Sequence, residues 1–374
     1  MLRTVAVLFG GDSCEREISV LTGTFVVNLL DRTKYNVLPV YVGEKGELFT
    51  AQNFDDVDTF KEKNFLKKAK QIFLNGDTVY EMNAKKTRIK RMVKVNVALN
   101  CCHGGMGEGG GISGIIQTHG IPLASPRVAA SGVFMDKALT KLVVKSLGIP
   151  TVDSFRVNEE DYRKRGAFLL KNIARRLKFP VIIKPAHLGS SIGITVAHNT
   201  EEVKKGLAAA FALDHRVLIE KFLVGKKDVN CAAYCVDGEI IVSEVEEAFS
   251  SQDGVYGFEE KYLKRTAENG KAGGRVALKG VLRDKIRSYT RTVYKRLNLR
   301  GVVRIDYLVQ GENVYLSEVN TVPGSLAYYL FCERLADARE FFGELIEEAI
   351  ARHAREQKQV ISTGILQTVK RIGK

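Results

Sequence analysis

Short apolar runs alternate with longer polar stretches in the first third of the chain. Residues 5–9, 37–42 and 95–100 are rich in valine and have the length of buried strands. The pair Gly10-Gly11 after the first run indicates a tight turn. Because strands that alternate with helices form parallel sheets, we predict an α/β arrangement here. The stretch from about residue 44 to residue 91 is polar and poorly periodic, so we predict a peripheral insertion there.

The pattern changes after Ile121 and Pro122, where strands and long helices follow in a different order. These changes place domain boundaries near residues 125 and 223, and they divide the chain into segments 1–125, 126–222 and 223–374. The predicted helices cover residues 137–147, 281–297 and 337–355, and the predicted strands cover residues 181–185, 217–222, 302–309 and 314–320.

The composition is that of a soluble globular protein. Of 374 residues, 45% are hydrophobic and 27% are charged, and no apolar run is long enough to span a membrane. The first apolar run is short and lacks a cleavage site, so we predict no signal peptide and a cytoplasmic location. The six cysteines lack the spacing of a zinc site and are predicted to be reduced thiols.

The formal net charge of +14 is compatible with a nucleic-acid partner. The basic clusters at residues 61–70, 85–94 and 352–374 are not interleaved with aromatic residues, and no nucleic-acid-binding motif is present. We therefore interpret these clusters as solvated helix faces that also attract anionic substrates.

Charged residues interrupt the two apolar strands near residue 310. Side chains alternate across a strand, so Arg304 and Asp306 share one face, and Glu318 and Asn320 share a face on the returning strand. If the turn has three residues and is centred on Glu312, Asp306 lies directly across from Glu318. An exposed hairpin with ordinary surface charges is the alternative.

Two carboxylates at cross-strand distance repel each other, and in a buried site they need a compensating cation. The oxygens of Asp306, Glu318 and Asn320 suit magnesium. Arg304 on the same face could stabilise negative charge that develops during acyl or phosphoryl transfer. A rigid Thr-Val-Pro-Gly turn follows at residues 321–324, and this is typical of a site loop.

Candidate phosphate ligands lie earlier in the chain. Lys184 ends an apolar strand, and the loop 189–193 that follows is rich in glycine and serine and can present N–H groups to phosphate oxygens. Lys137 lies near a predicted helix start. Residues 220–223 close a strand at a domain boundary and could offer backbone groups to an adenine edge. An ordinary turn and a surface lysine are the alternatives for the loop and for Lys137.

Taken in order, these motifs resemble those of the D-alanine–D-alanine ligases of the ATP-grasp superfamily. The resemblance covers residues from about 5 to about 330. It rests on the segments 10–19 (GGDSCEREIS), 103–108 (HGGMGE), 135–137 (MDK), 184–193, 220–223 (EKFL), 260–262 (EKY), 304–306 (RID) and 318–324 (EVNTVPG).

The resemblance implies an ATP-grasp fold, α/β in class with an α+β C-terminal part. Segment 1–125 would be an N-terminal Rossmann-like substrate domain, 126–222 the central ATP-grasp subdomain, and 223–374 the C-terminal subdomain with the magnesium site. ATP and two Mg²⁺ or Mn²⁺ ions would be required. ATP would phosphorylate the carboxylate of one amino acid, and the amine of a second would attack the acyl phosphate. A homodimer is also implied.

The resemblance further implies residue roles. Glu15, Ser190 and Tyr262 would act in catalysis and in closing a loop over the site, with Arg304 and the Gly324 amide stabilising the tetrahedral intermediate. His103, Ser325 and Tyr329 would lie at the amino-acid substrates. ATP would be bound by Lys137, Lys184, Ser191, Glu220, Lys221, Leu223, Asp228 and Lys261, and the magnesium ions by Asp306, Glu318 and Asn320.

The chain departs from the family pattern at four places. Gly109 replaces an Asp, Leu123 replaces a Tyr, and the loop after Tyr262 is rich in Lys, Arg and Gly. Tyr329 stands where the family has a Ser that binds the second substrate's carboxylate. The leading prediction is a D-alanine–D-alanine ligase for peptidoglycan precursor synthesis. The alternatives are a ligase with another acceptor, such as D-serine, or one in a secondary pathway, and an inactive ATP-binding or nucleic-acid-binding protein.

Overall fold

The computed structural model describes residues 2–83, 85, 87–247, 278–359 and 361–368. Lys261 and Tyr262, two of the predicted site residues, lie outside these ranges. Three β-sheets organise the described residues, and helices cover them. No helix in these ranges is long and apolar enough to span a membrane.

The N-terminal sheet has seven strands in the order β6-β5-β4-β3-β2-β1-β7. Strand β1 pairs in parallel with β2 and β7, as the α/β pattern predicts, and every residue of β1 after its first is buried. The stretch from residue 44 to residue 91 adds antiparallel hairpins to the sheet edge. The strands are β1 Arg3–Gly10, β2 Tyr35–Val42, β3 Leu48–Thr50, β4 Lys70–Asn75, β5 Thr78–Met82, β6 Ile89–Lys94 and β7 Val97–Asn100.

Helix α1 packs closely on β1 because it has a glycine at the contact. A Cβ atom on Gly23 would lie 2.2 Å from Cγ of Phe9, so no larger residue fits there. Helix α5 begins where the sequence predicts, because the Asp136 carboxylate accepts the N–H groups of Ala138 and Leu139. The helices of this part are α1 Arg16–Leu29, α2 Gly105–Glu108, α3 Gly111–Thr118, α4 Val128–Met135 and α5 Lys137–Ser146, with 3₁₀ turns at Val57–Lys61 and Phe65–Lys68.

The central sheet is antiparallel, with the order β10-β9-β11-β8. Two amphipathic helices, α6 and α7, cover it with buried aliphatic side chains. Strand β9 carries Lys184, and β11 carries Glu220. The elements are β8 Ser154–Asn158, α6 Glu159–Leu177, β9 Val181–Pro185, β10 Thr195–Ala197, α7 Thr200–Phe211 and β11 Arg216–Lys221.

The C-terminal sheet has the order β13-β12-β15-β16, and β14 pairs with β12. The β15–β16 hairpin carries the predicted metal ligands. The elements are β12 Lys227–Val236, β13 Glu239–Val242, β14 Glu246–Glu247, α8 Val281–Arg296, β15 Val303–Gln310, β16 Asn313–Asn320, a 3₁₀ helix at Gly324–Leu330, α9 Leu335–Glu356 and α10 Ile365–Thr368.

One hydrophobic core joins the two ends of the chain. Val5 and Phe9 of β1 belong to the same cluster as Phe341, Phe342 and Leu345 of α9. The N-terminal sheet therefore packs on the C-terminal helix, and this packing brings the segments around residues 15, 103 and 322 together.

Candidate active site

The β15–β16 hairpin places Asp306 directly opposite Glu318, as the alternation predicts. The predicted three-residue turn is wrong. Gln310 pairs with Asn313, which leaves a two-residue turn, and an irregularity on the turn side of the Asp306–Glu318 pair makes Ser317 an extra residue in β16. The bulge restores the register that the longer turn would have given, so the two carboxylates still face each other.

Cations already compensate both carboxylates. Nε and Nη2 of Arg304 donate to the two oxygens of Asp306 at 2.7 and 2.8 Å, and Nδ2 of Asn320 donates to Asp306 at 3.1 Å. Nζ of Lys137 lies 4.0 Å from Glu318. Arg304 and Asp306 are each about four-fifths buried, with side-chain exposures of 18% and 19%. The exposed-hairpin alternative is therefore wrong, because these charges are largely shielded from solvent.

A second charge cluster centres on Glu220, which is only 2% exposed. Its two carboxylate oxygens accept from Nζ of Lys141 and from Nζ of Lys184, each at 2.7 Å. Burial disfavours the charge on Glu220, but the two ammonium groups outweigh it and lower the pKa of the carboxyl to about 2. Two lysine ammonium groups around one carboxylate leave a net positive charge in this buried cluster. An anion can bind to this charge.

Sequence analysis did not identify Lys141. The sequence feature that indicates a role for Lys141 is its spacing from Lys137. The two lysines are four residues apart on α5 and therefore share one face of the helix. Lys141 is 3% exposed and also donates to the carbonyl of Val152 at 3.1 Å. Burial lowers its pKa, and the charge on Glu220 opposes this effect.

The loop after β9 lies beside Glu15. Ser190 and Ser191 have left-handed backbone conformations, with φ of 50° and 61°, and the hydroxyl of Ser190 donates to the carboxylate of Glu15. Glu15 is 8% exposed. Nζ of Lys137 donates to the carbonyl of Leu188 at the start of this loop. The structure thus brings together the predicted Glu15–Ser190 pair and one predicted phosphate ligand.

His103 connects the N-terminal segment to the turn that follows β16. Its Nδ1 lies 2.7 Å from the Val322 carbonyl, which can only accept, so Nδ1 carries the proton and Nε2 accepts from the Thr22 hydroxyl at 2.8 Å. The Thr22 oxygen in turn accepts the N–H of Ser325 at 3.1 Å. Burial lowers the pKa of His103 to about 4, which keeps the ring neutral. Both ring nitrogens bond to protein atoms, so His103 positions the turn around Gly324.

Glu108 fixes the same turn from the other side. Its carboxylate accepts the N–H groups of Thr321 at 3.1 Å, Val322 at 3.2 Å and Gly104 at 3.1 Å. Burial, followed by the charge of Glu15, raises the pKa of Glu108 to about 7. By accepting these N–H groups, the Glu108 carboxylate holds residues 321–322 next to the hairpin.

Tyr329 faces the hairpin. Its ring is largely buried, with 9% exposure, and its hydroxyl accepts from Nη1 of Arg304 at 3.4 Å. Ser325, Leu326 and Ala327 before it have φ near 50°, a tight left-handed turn that aims the Tyr329 side chain back toward Arg304. Tyr329 and Arg304 thus lie on the same side of the site, and the role of Tyr329 at the second substrate stays a prediction.

The predicted adenine-side residues lie at the junction between the central and C-terminal sheets. Leu223 is buried and packs with Val152 and Leu308, and the Lys221 N–H donates to the Asp153 carbonyl at 3.0 Å. Asp228 on β12 accepts from Nζ of Lys226, which precedes the strand. Leu308 lies on β15 and is also the partner of Asp228 across the sheet, so these residues adjoin the part of the hairpin near its turn. Their predicted role in binding adenine and ribose stays a prediction.

Two family models match the chain. The family model described as D-ala D-ala ligase N-terminus matches residues 4–126, and the one described as D-ala D-ala ligase C-terminus matches residues 143–351. A D-alanine--D-alanine ligase of Thermosipho melanesiensis is 32% identical over 369 residues, which are 97% of this chain and 98% of that protein.

Solved structures show the same fold. The D-alanine-D-alanine ligase of Helicobacter pylori is 26% identical, with a TM-score of 0.72, and the similarity covers 95% of this chain and 100% of that one. The VanG D-Ala:D-Ser ligase of Enterococcus faecalis is 24% identical, with a TM-score of 0.71 over 94% of this chain and 100% of that one. At this identity the second likeness shows the fold alone.

Proposed function

The chain belongs to the D-alanine–D-alanine ligase family and is an ATP-dependent ligase with the ATP-grasp fold, and we propose that it joins two D-alanine molecules for peptidoglycan precursor synthesis. In the first step, the γ-phosphoryl group of ATP passes to the carboxylate of the first D-alanine and ADP leaves. In the second, the amine of the other D-alanine attacks the acyl carbon, and phosphate leaves.

The paired carboxylates of the hairpin, with cations on both sides, are the observation that carries this proposal. Asp306 and Glu318 face each other, and Lys137 and Arg304 lie at the same place. A binding protein without chemistry has no need of such a costly arrangement, because like charges in a shielded site raise the free energy of the fold.

We propose that magnesium is held by Asp306, Glu318 and Asn320. Their oxygen donors fit a hard divalent cation, and the ion would supply charge neutralisation for the transferring phosphoryl group. In this structure Arg304 occupies both oxygens of Asp306. A cation that binds Asp306 therefore competes with Arg304 for these oxygens, and a guanidinium released from Asp306 would be available to the reacting acyl group.

The lysine pair around Glu220 supports binding of the nucleotide phosphates. Lys184 shares Glu220 with Lys141, so Lys184 can turn to a phosphate while Lys141 still compensates the buried carboxylate. Lys137 at the start of α5 supplies a second cation, because its Nζ donates to the Leu188 carbonyl just before the loop 189–193, called here the phosphate-side loop.

The carboxylate of Glu15 supports binding of the first amino acid. It is buried and accepts from Ser190, and its N–H donates to the Ser13 hydroxyl, which in turn donates to the His103 carbonyl. A carboxylate in this setting suits an ammonium group, because burial strengthens the ion pair. The Gly324 amide in that turn would face the tetrahedral intermediate.

Tyr329 favours a second candidate, a ligase that uses a different acceptor such as D-serine. The tyrosine hydroxyl bonds to Arg304, and a bulky ring there reshapes the space for the second substrate. A hydroxyl-bearing acceptor could share this hydrogen bond.

The test is phosphate release from ATP and magnesium by the purified chain, with D-alanine alone and then with D-serine and other second amino acids, and identification of each product by mass. Dominant D-alanyl-D-alanine supports the leading proposal. A mixed dipeptide as the main product moves the protein to the second candidate. No phosphate release with any amino acid, combined with salt-sensitive RNA binding, would instead support the inactive nucleic-acid-binding alternative.

The variant Tyr329→Phe tests whether the Tyr329 hydroxyl contacts the acceptor. Loss of the hydroxyl should raise KM for the acceptor while the KM for ATP stays the same, because the hydroxyl lies at Arg304 and away from the lysine pair. The homodimer and the cytoplasmic location stay predictions. Light scattering of the purified chain tests the first, and cell fractionation tests the second.

A further inference from the structure

A cluster of two histidines and one carboxylate lies beside the phosphate-side loop and takes no part in the chemistry above. His187 follows β9, and Asp214 and His215 precede β11. One ligand atom from each of the three residues can be chosen so that all lie within 4.8 Å of one another. Asp214 is nearly buried, His187 is partly buried, and the His215 ring is exposed, with side-chain exposures of 4%, 31% and 73%.

Both imidazoles turn the same nitrogen toward one carboxylate. Nδ1 of His187 lies 3.0 Å from both oxygens of Asp214, and Nδ1 of His215 lies 3.5 Å from Oδ1 of Asp214. The two rings stack nearly parallel, with centroids 5.4 Å apart and an interplanar angle of 20°. Ligand atoms around a tetrahedral zinc ion are about 3.4 Å apart, given metal–ligand bonds of about 2.1 Å. The separation of 3.5 Å at His215 is close to that value, and the separation of 3.0 Å at His187 is somewhat shorter.

The carboxylate is held in place independently of the histidine rings. The backbone N–H of His187 donates to Asp214 at 2.7 Å, and the N–H of Arg216 donates to it at 3.1 Å. Each oxygen keeps a lone pair for a further partner.

The other nitrogen of His187 meets a second carboxylate. Nε2 lies 3.5 Å from Oδ2 of Asp136, which caps α5 and pairs with Arg216. A histidine that binds metal through one nitrogen almost always gives its other N–H to a carboxylate, a carbonyl or water. His187 is therefore oriented as a metal ligand with an outer carboxylate partner.

Open space adjoins the three ligands. A cavity of about 530 Å³ opens to solvent at this place, so a water or a small anion can complete a fourth position. The residues that line it are Glu159, His187, Leu188, Phe211, Ala212, Leu213, Asp214 and His215.

We propose that His187, Asp214 and His215 bind one borderline divalent transition-metal ion, such as Zn²⁺, at a site separate from the magnesium site of the hairpin. Two imidazoles and one carboxylate select zinc, cobalt or nickel over magnesium, which prefers oxygen ligands and waters. Three protein ligands leave a position open, which is the arrangement of an exchangeable site.

Occupation of this site would act on the nucleotide-binding loop. The ion would tie residue 187, at the start of the loop, to the turn before β11, and the next residue, Leu188, accepts from Nζ of Lys137. A bound ion would therefore hold the backbone just before the phosphate-side loop and restrict the motion of that loop.

The experiment titrates the full chain with Co²⁺ after metal removal by a chelator and in the presence of excess Mg²⁺, which occupies the hairpin. Visible absorption of tetrahedral Co²⁺ reports binding, and Zn²⁺ displaces the signal. We expect one equivalent per chain, and a rise in the melting temperature with Zn²⁺. The substitutions His187→Gln and His215→Gln should each weaken binding at least tenfold and abolish the rise in melting temperature.

The substitution His198→Gln is the matched control, because His198 is exposed and lies outside the cluster, and it should bind Co²⁺ as the unmodified chain does. His215 is exposed, so His215→Gln decides the question even where His187→Gln fails to fold. Absence of the Co²⁺ signal from the unmodified chain overturns the proposal. A signal that both histidine variants retain and Asp306→Asn removes also overturns it, since the ion then lies at the hairpin.

Discussion

At Glu220 one buried carboxylate meets two lysines, and the difference between the two lysines matters for ATP. Lys184 lies at the end of β9, next to the phosphate-side loop, whereas Lys141 is enclosed in α5 and bonds to the Val152 carbonyl. Only Lys184 can leave Glu220 for a phosphate. Lys141 is then the group that keeps the carboxylate compensated, because a buried charge without a partner costs several kcal/mol.

The substitution Lys141→Met tests this division of roles. Glu220 would keep Lys184 as its only cation, so we expect the free energy of unfolding to fall by about 2 kcal/mol, less than for complete loss of a buried pair. The KM for ATP should rise about tenfold or more, because Lys184 can no longer leave Glu220. Urea unfolding and steady-state kinetics measure the two effects.

The control is Lys145→Met on the same helix, where the lysine is exposed. Addition of Glu220→Gln to Lys141→Met should lower the KM for ATP again, since Lys184 is then no longer held as the only cation of Glu220. Equal losses in the Lys141 and Lys145 variants would contradict the assigned role.

His103 predicts a particular dependence of stability on pH. Its pKa is about 4 in the folded protein because burial disfavours the charged ring, and about 6.5 when exposed. The unfolded chain therefore takes up a proton first as pH falls. The contribution is fully present above pH 6.5 and is lost progressively down to pH 4, by up to about 3 kcal/mol.

Comparison with His103→Gln isolates this contribution. Unfolding free energies of both proteins, measured by urea between pH 4 and pH 7.5, should converge as the pH falls, because only the unmodified chain loses stability through His103. The difference between the unmodified chain and His198→Gln should not follow the same curve. A constant difference between the unmodified chain and His103→Gln would show that His103 is not held neutral.

At the scale of elements, the β15–β16 hairpin depends on one extra residue. With the two-residue turn alone, Asp306 would pair with Ser317. The bulge takes Ser317 out of the pairing, so Glu318 becomes the partner of Asp306. A shift of one residue moves every side chain of a strand to the opposite face. The bulge therefore decides whether Glu318 and Asn320 face Asp306.

Insertion of one alanine after Ser317 should turn Glu318 and Asn320 away from Asp306 and reduce phosphate release from ATP at least about 100-fold. Deletion of Ser317 removes the bulge but leaves Glu318 as the residue after Leu316, so it should keep Glu318 opposite Asp306 and keep most of the activity. Circular dichroism and melting curves must show that both variants fold. Activity close to normal in a folded insertion variant would show that the residue count at the bulge does not set the register.

Much of the fold could be predicted from the alternation of apolar and polar residues. The predicted bounds differ from the observed bounds by at most a residue or two for the strands at residues 181–185 and 303–310 and for the helix at 137–146. The apolar faces of these elements are continuous, which makes their bounds readable in the sequence. A three-residue turn and a two-residue turn with a bulge give the same register, so the sequence could not separate them. The hairpins of residues 48–94 lie at a sheet edge and are half exposed, which removes the apolar run that marks a buried strand.

The contacts that complete the site could not be predicted in the same way. His103 meets Val322 across 219 positions of the chain, and Ser325 meets Thr22 across 303. No local pattern encodes such a pairing, because it depends on how the N-terminal sheet packs on the C-terminal helix. Lys141 could have been found from its spacing to Lys137, but its burial depends on the same long-range packing.

For the whole molecule, the shared core is what brings Glu15, His103 and the turn around Gly324 into one site. Helix α9 covers the N-terminal sheet through Phe341, Phe342 and Leu345, and the Phe342 ring also contacts Phe25 of α1 at 6.1 Å between centroids. The N-terminal sheet therefore depends on a helix that is about 340 residues later in the chain, and the two ends should unfold together.

The substitution Phe342→Ala tests this dependence. Phe342 is fully buried, so its removal should lower the free energy of unfolding by about 3–5 kcal/mol. Amide hydrogen exchange should then accelerate in β1, in the segment around residue 103 and in α9 together, because one core carries them all. Phe168→Ala on α6 is the control, since Phe168 is 62% exposed and should change neither quantity much. Faster exchange confined to α9 would mean that the N-terminal sheet is stable without it, and the site would then be joined by its hydrogen bonds alone.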